Sequence, residues 1–411
     1  MEYSETFSKL RSLFFSNGPI APQGIKFGDV VIYKFNFHSS SYDLLPGNNN
    51  YYCKKHNINF NNSFTFFNDV GTIQNGVHIE DIAVEENRNF SYYILKPQNQ
   101  NKIKKVTFLF HGFNEKNWDK YLPWAEAICA RTQSAIVFFP IAFHMQRSPL
   151  SWSDKRKMYE LSEKRKKKYP NIINSTLSNV AISMRLHSMP QRFIWSGLQT
   201  YYDVINFLED CRNNKHELID KQFSFDIFAY SIGGLLALIL KLSNHNNYFD
   251  DSKVCLFCSG AVFNRLSPVS KFILDSEANV ALYSYLIEHI DIFLKRDALL
   301  HHYIEDDHFE GKVFRSMLDY HNMREFREAL LRKFEKQIYA ISLKKDSVIP
   351  SFEIMNTLNG AFRDIQIKVE ELDFSYDYMH ENPFPVNHKY SAKIDENFTN
   401  VFEKVGKFLS A

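Results

Sequence analysis

The chain has only five cysteines among 411 residues. Cys53, Cys129, Cys211, Cys255 and Cys258 are an odd, scattered set, which excludes a disulfide framework. Cys255 and Cys258 form a C-x-x-C, but it lies inside the apolar run Val254-Cys-Leu-Phe-Cys-Ser259, which reads as a buried strand and not as a redox loop. A charge excess is also missing, with 49 Lys and Arg against 47 Asp and Glu, a net of +2. A protein that holds nucleic acid by neutralising phosphates shows a stronger basic excess, so no nucleic-acid partner is expected. No apolar run approaches the ~18 residues that span a bilayer. The opening residues Met1 to Arg11 carry acids and no apolar h-region, so a soluble cytoplasmic protein is expected. There is no internal repeat. Neither a G-x-G-x-x-G or Walker loop nor an H-E-x-x-H pair is present. No cofactor and no metal are expected.

What is abundant is apolar and aromatic: 45% hydrophobic residues, with 38 Phe and 22 Tyr. That supply builds a sizeable core and excludes global disorder. The length is about 2.7 typical domains of ~150 residues, which fits one large domain with insertions or two ordinary ones. Ile25–His38 and Val77–Leu95 alternate apolar and polar residues as half-buried strands do. Between them, Pro46-Gly-Asn-Asn-Asn and the Asn-rich stretch to Ser63 read as turns and loop. Residues 1–76 are thus expected as a strand-bearing extension packed on the core.

From about Lys104 the rhythm changes. Short apolar runs at Val106–Phe110, Ala135–Pro140, Phe225–Ala229, Val254–Cys258 and Ile338–Leu343 alternate with helical spacing at Trp118–Arg131, Gly197–Cys211 and Gly233–Ser243. Asp364–Leu372 alternates, and Ile394, Phe398, Val401, Phe402, Val405, Phe408 and Leu409 share the face of a last helix. This predicts an α/β fold with a mostly parallel sheet covered on both faces. Two segments leave the sheet at strand C-terminal ends, 141–194 and 263–336, and are candidate lid elements.

The most informative stretch is Phe225-Asp-Ile-Phe-Ala-Tyr-Ser231-Ile-Gly233-Gly234. A strand turns into a helix within three residues, with a serine at the apex. Ala229 and Gly233, two before and two after it, are small enough for so sharp a turn. The geometry pushes the hydroxyl into a cleft at a helix N-terminus, which favours developing negative charge. An N-cap serine in an ordinary tight turn is the plainer alternative. A nucleophilic serine needs a base, and the base an orienting acid. Asp346 follows the run Ile338–Leu343 by three residues, and His380 lies between Leu372 and the last helix; His388 is a rival nearer that helix. Ser, Asp and His each come after a different strand, so parallel strands bring them to one sheet edge. After Val106–Phe110 come His111-Gly112-Phe113, where glycine permits a turn that aims amides into the cleft. The amides of Phe113 and Ile232 are the candidate oxyanion donors, and His111 is expected to brace the loop.

On these motifs, the H-G-F loop, A-Y-S-I-G-G, K-K-D-S-V-I-P and Y-M-H-E-N-P, the chain resembles the α/β-hydrolase superfamily in its esterase, lipase and thioesterase range. The resemblance covers roughly Val77 to Ala411. It implies Ser231 as nucleophile, Asp346 as acid, His380 as base, and Phe113 and Ile232 as the oxyanion hole, with Gly112 and Gly233 supporting the loops. It also implies a core of 77–262 and 337–411, with 141–194 inserted after the fourth strand and a helical cap at 263–336. Ala229 departs from the commoner Gly. The implied activity is cleavage of a small-molecule carboxylic ester or thioester, at a rate that rises through neutral pH as a histidine base requires. An acyltransferase uses the same machinery. A catalytically silent scaffold that binds a ligand or partner is the alternative from another class, and the full Ser–Asp–His set argues against it.

Three further signals rank lower. Arg147 suits either a substrate carboxylate or phosphate or an internal ion pair, and the second is preferred. His301, His302, Glu305, Asp306, Asp307 and His308 hold ligand-type side chains but read as a solvated helix end. The basic run Lys155–Lys168 reads as a solvated helix face, with guidance of an anionic substrate or contact with an acidic partner or membrane surface as the lesser alternative.

Overall fold

The computed structural model describes residues 2–16, 24–48, 50–61, 80–386 and 388–411. In chain order the strands are β1 (Ile25–Phe27), β2 (Val30–His38), β3 (Asn50–Cys53), β4 (Ile58–Asn61), β5 (Asn89–Pro97), β6 (Ile103–Phe110), β7 (Ala135–Phe138), β8 (Ile219–Tyr230), β9 (Val254–Phe257), β10 (Ile338–Leu343) and β11 (Lys368–Leu372). Nine of them form one sheet in the order β1-β2-β5-β7-β6-β8-β9-β10-β11, and β3 pairs with β4 in a separate hairpin. From β7 to β11 every pairing is parallel; β1, β2 and β5 extend that edge antiparallel.

The central strands are buried on both faces, which is why they read as continuous apolar runs and not as alternation. In β6, Phe108 and Phe110 enter one core while Leu109 enters the other. The Leu-rich helix Ile232–Ser243 covers the first face. Helices Tyr121–Thr132 and Ser391–Ser410 cover the second through Trp124, Ile128, Phe398 and Val401. The segment between β7 and β8 carries helices Lys155–Lys168 and Val180–Ser188, and that between β9 and β10 is a set of short helices and π-helical turns. This is the α/β-hydrolase architecture with a helical cap. The two insertions are joined by Arg165, whose guanidinium donates to both Asp275 oxygens at 2.6 and 2.9 Å with neither side chain exposed. Arg165 is the buried exception on the basic helix; its lysines face solvent as expected.

The N-terminal part departs from expectation in three places. Tyr3–Ser16 is a helix, unanticipated, that docks Tyr3, Leu10 and Phe14 into the second core. The stretch read as turns and loop contains the β3–β4 hairpin. The strand expected over Val77–Leu95 starts only at Asn89, because Asp81–Ala83 and Glu85–Arg88 are helical turns. There Asp81 is drawn inward by Arg185 and Arg192. Residues 49, 62–63 and 77–79 of those two stretches lie outside the described residues, as do the side chains of Asp306 and His388. No helix among the described residues is long and apolar enough to cross a membrane.

Candidate active site

β6 and β8 are neighbours in register, with Phe110 opposite Ala229. The chain leaves β6 toward β7 on one side and returns to β8 on the other. The crevice beyond their C-terminal ends is therefore the switch point where α/β sheets place ligands. His111-Gly112-Phe113 leaves one strand there and Ser231 the other.

Ser231 has φ 56° and ψ −127°, a conformation that only glycine adopts cheaply. Holding a serine there costs on the order of 1–3 kcal/mol, so the surrounding fold must impose it. Two contacts do so: the Ser231 amide donates to the Phe257 carbonyl at 3.3 Å, and the Ser259 hydroxyl donates to the Ser231 carbonyl at 2.5 Å. Gly233 is required for a second reason. A Cβ on it would stand 2.7 Å from the Phe110 carbonyl oxygen and 2.8 Å from that of His111.

The Ser231 Oγ lies 2.7 Å from His380 Nε2, and His380 Nδ1 lies 2.7 Å from Asp346 Oδ2. All three side chains are buried. The other Asp346 oxygen accepts the amides of Val348 and Ile349, both at 2.9 Å, which fixes the orientation of the carboxylate. With Asp346 accepting a hydrogen bond from Nδ1–H, His380 presents a lone pair at Nε2 to the serine.

Two residues near this chain, Tyr230 and Ser259, were not singled out in the sequence, and a third, Cys258, was read there only as part of a buried strand. Tyr230 stacks on the His380 ring, 5.4 Å between centroids and 17° between planes, and its hydroxyl donates to the His380 carbonyl. Ser259 holds the serine carbonyl, as above. Cys258 lies against Asp346, its thiol pushed well up by burial and by that carboxylate. Cys255, equally buried, is pushed up by burial as well. Both shifts are opposite to what a reactive C-x-x-C needs.

The amides of Phe113 and Ile232 donate to no acceptor among the described residues. The Gly112 amide is taken by the Tyr121 hydroxyl at 2.8 Å. Asn114 ties this loop to both insertions, donating to the Ser178 and Phe272 carbonyls at 2.9 and 2.6 Å. His111 is a brace: its Nδ1–H donates to the Gly112 carbonyl at 2.8 Å, and its Nε2 accepts the Ile141 amide at 2.9 Å.

Arg147 is committed to partners inside the protein. It has no exposed surface and donates to Asp203 at 2.8 Å, to Asn87 Oδ1 at 2.9 Å and to the Pro140 carbonyl at 3.1 Å. The internal ion pair is thus the alternative realised, and Arg147 is not a substrate contact. The reading of 301–308 as a solvated helix end is also corrected, since His302 and His308 are only 5% and 4% exposed.

Burial holds His111 down to about 3, against the opposing hydrogen bond to Gly112, and holds neighbouring His144 well below the ordinary imidazole value. The unfolded chain takes up these two protons near pH 6.5 and the folded chain refuses them. The stabilisation is therefore whole well above pH 6.5 and is lost as pH falls from there toward about 3. Urea unfolding at pH 7 and pH 5 is expected to differ by roughly 4 kcal/mol for the pair. A loss that persists undiminished when both are replaced by Gln would contradict this assignment.

In structure the chain is similar to a carboxyl esterase 2 from the fungus Tuber melanosporum, 11% identical with a TM-score of 0.45, over 99% of this chain and 97% of that one. It is also similar to a thermostable esterase from Pseudomonas putida, 8% identical with a TM-score of 0.43, over 99% and 97%. A third is a cold-adapted esterase from an Arctic intertidal metagenomic library, 9% identical with a TM-score of 0.42, over 96% and 98%. No curated protein matches the chain in sequence. One family model does, over residues 1–410, and the chain therefore belongs to the family of unknown function DUF6051.

Proposed function

We propose that this protein is a serine hydrolase that cleaves a carboxylic ester or thioester through an acyl-enzyme on Ser231. The observation that carries the reading is the unbroken hydrogen-bond chain Ser231–His380–Asp346, 2.7 Å at each link, with the serine held in a strained turn. His380 takes the Ser231 proton as the oxygen attacks the acyl carbon, and Asp346 stabilises the imidazolium. The Phe113 and Ile232 amides receive the oxyanion. His380 then protonates the leaving alcohol or thiol, and later activates the water that frees the acid. A silent scaffold gives no reason to maintain a strained serine against a base.

The surroundings favour a short, apolar acyl group. The cavity at Ser231 has a volume of about 30 Å³ and is walled by Phe113, Phe193, Ile232 and the cap residues Phe263, Leu266 and Leu274. A second, of about 60 Å³, shares Phe113, Phe193 and Ile232 and continues between Ile182, Leu235 and Phe314. On the other side of Phe113 a groove of about 960 Å³ runs past Lys116, Trp152 and Met379 to the surface, and gives the leaving group its exit.

Acetate, butyrate, octanoate and palmitate esters of p-nitrophenol, with the matching thioesters, test this. Acetate and butyrate are expected to turn over, and palmitate at least about tenfold more slowly in kcat/KM, since a misplaced methylene is worth ~1–3 kcal/mol. Palmitate as the best substrate would refute the short pocket; no turnover of any ester or thioester would refute the hydrolase.

A further inference from the structure

A second cluster of chemistry-bearing side chains joins the β3–β4 hairpin to the cap. Cys53 ends β3, and His56 lies in the turn to β4. His302 opens a π-helical turn of the cap, and His308 precedes helix Phe309–Ser316. Their facing atoms are Cys53 Sγ, His56 Nδ1, His302 Nε2 and His308 Nε2, with Sγ 3.5 Å from His56 Nδ1 and 3.4 Å from His308 Nε2, and 3.2 Å between His56 Nδ1 and His302 Nε2. All four ligand atoms lie within 4.8 Å of one another. Around a tetrahedral zinc, with Zn–S about 2.3 Å and Zn–N about 2.05 Å, such atoms stand about 3.6 Å apart for sulfur to nitrogen and about 3.3 Å for nitrogen to nitrogen. The three separations given above fall close to these values.

The ring geometry and the outer shell agree. The three imidazoles are mutually near-perpendicular, with centroids 4.8 to 4.9 Å apart and planes at 84° to 90°, as when each turns a nitrogen to a common centre. His302 Nδ1 pairs with Asp307 at 3.2 Å, and His308 Nδ1 with Glu310 at 2.8 Å. A carboxylate on the far nitrogen puts the proton there and leaves Nε2 as the lone pair, the arrangement metal-bound histidines adopt. The Tyr202 hydroxyl donates to Glu310 in turn. Cys53, His302 and His308 are buried and His56 half-buried.

We propose that Cys53, His56, His302 and His308 bind one zinc ion that fastens the β3–β4 hairpin to the cap. Four protein ligands leave no open position, which makes the site structural and not catalytic. Binding forms one Zn–S and three Zn–N bonds and releases the Cys53 thiol proton to water. The proposal is independent of the hydrolase reading.

The test begins with metal analysis of full-length protein purified from zinc-containing medium. One zinc per chain is expected, lost in Cys53→Ala and His308→Ala and kept in His301→Ala. Wild-type protein stripped with a chelator and titrated with Co²⁺ reads the same site without relying on variants that fold. A thiolate charge-transfer band and the visible bands of tetrahedral cobalt are expected to saturate at one equivalent. The unfolding midpoint of the stripped protein is expected to rise by several degrees when zinc is returned. Substoichiometric zinc with no cobalt bands in folded wild-type protein overturns the site, as does full zinc retention by Cys53→Ala. Copper or iron in its place overturns the assignment of the metal.

Discussion

Ser231→Ala is expected to lower kcat for every cleaved ester by roughly 10⁵- to 10⁶-fold, leaving the residual catalysis that binding and oxyanion donors supply alone. The fold should survive. The backbone contacts that hold the turn, from the Ser231 amide to Phe257 and from Ser259 to the Ser231 carbonyl, do not involve the lost hydroxyl. His380→Ala should cost about as much, and the double variant little more than either, because groups that act as one unit are far from additive. Asp346→Asn removes the acceptor that sets the imidazole tautomer, and a fall of about 10⁴-fold is expected. Steady-state kinetics with the butyrate ester measure all four. Equal additive losses in the double variant would show that the residues do not act together.

Arg147→Met is expected to destabilise the protein by about 3–5 kcal/mol, because it strands a buried carboxylate. Asp203 has no exposed surface, and apart from Arg147 it accepts only from the Ser39 hydroxyl, at 2.6 Å, among the described hydrogen bonds. Asn87, bound to Arg147 through Oδ1 and to Gln199 through Nδ2, would lose its place as well. Replacing both partners, Arg147→Met with Asp203→Leu, should recover much of the loss, since an apolar pair of similar volume carries no stranded charge. Denaturant unfolding reads both. A substrate-binding role predicts the opposite pattern, with stability little changed and KM raised.

The parts of this site that the sequence displayed are those set by strand ends. A serine between small residues, an aspartate three residues past an apolar run and a histidine after the last strand are local patterns, and parallel topology alone brings them to one edge. Tyr230 was invisible as a positioning residue because its partner, His380, lies 150 residues away. Arg147 left two alternatives open, since a buried and an accessible arginine look the same until Asp203 is placed beside it. The N-terminal helix was hidden because its stability comes from Tyr3, Leu10 and Phe14 docking on two other helices, not from its own pattern. His302 and His308 were read as solvated for the same reason. Their partners, Cys53 and His56, sit on a hairpin about 250 residues upstream, in a stretch whose Asn-rich composition signals loop.

The central claim, that Ser231 is an activated nucleophile, is tested most directly by fluorophosphonate labelling of the purified protein followed by mass mapping. The account predicts one adduct, on Ser231, that is absent from Ser231→Ala and reduced to background in His380→Ala. Labelling of Ser231 that persists at full rate in His380→Ala would contradict it, as would an intact, folded protein that takes up no label and cleaves no acetate ester.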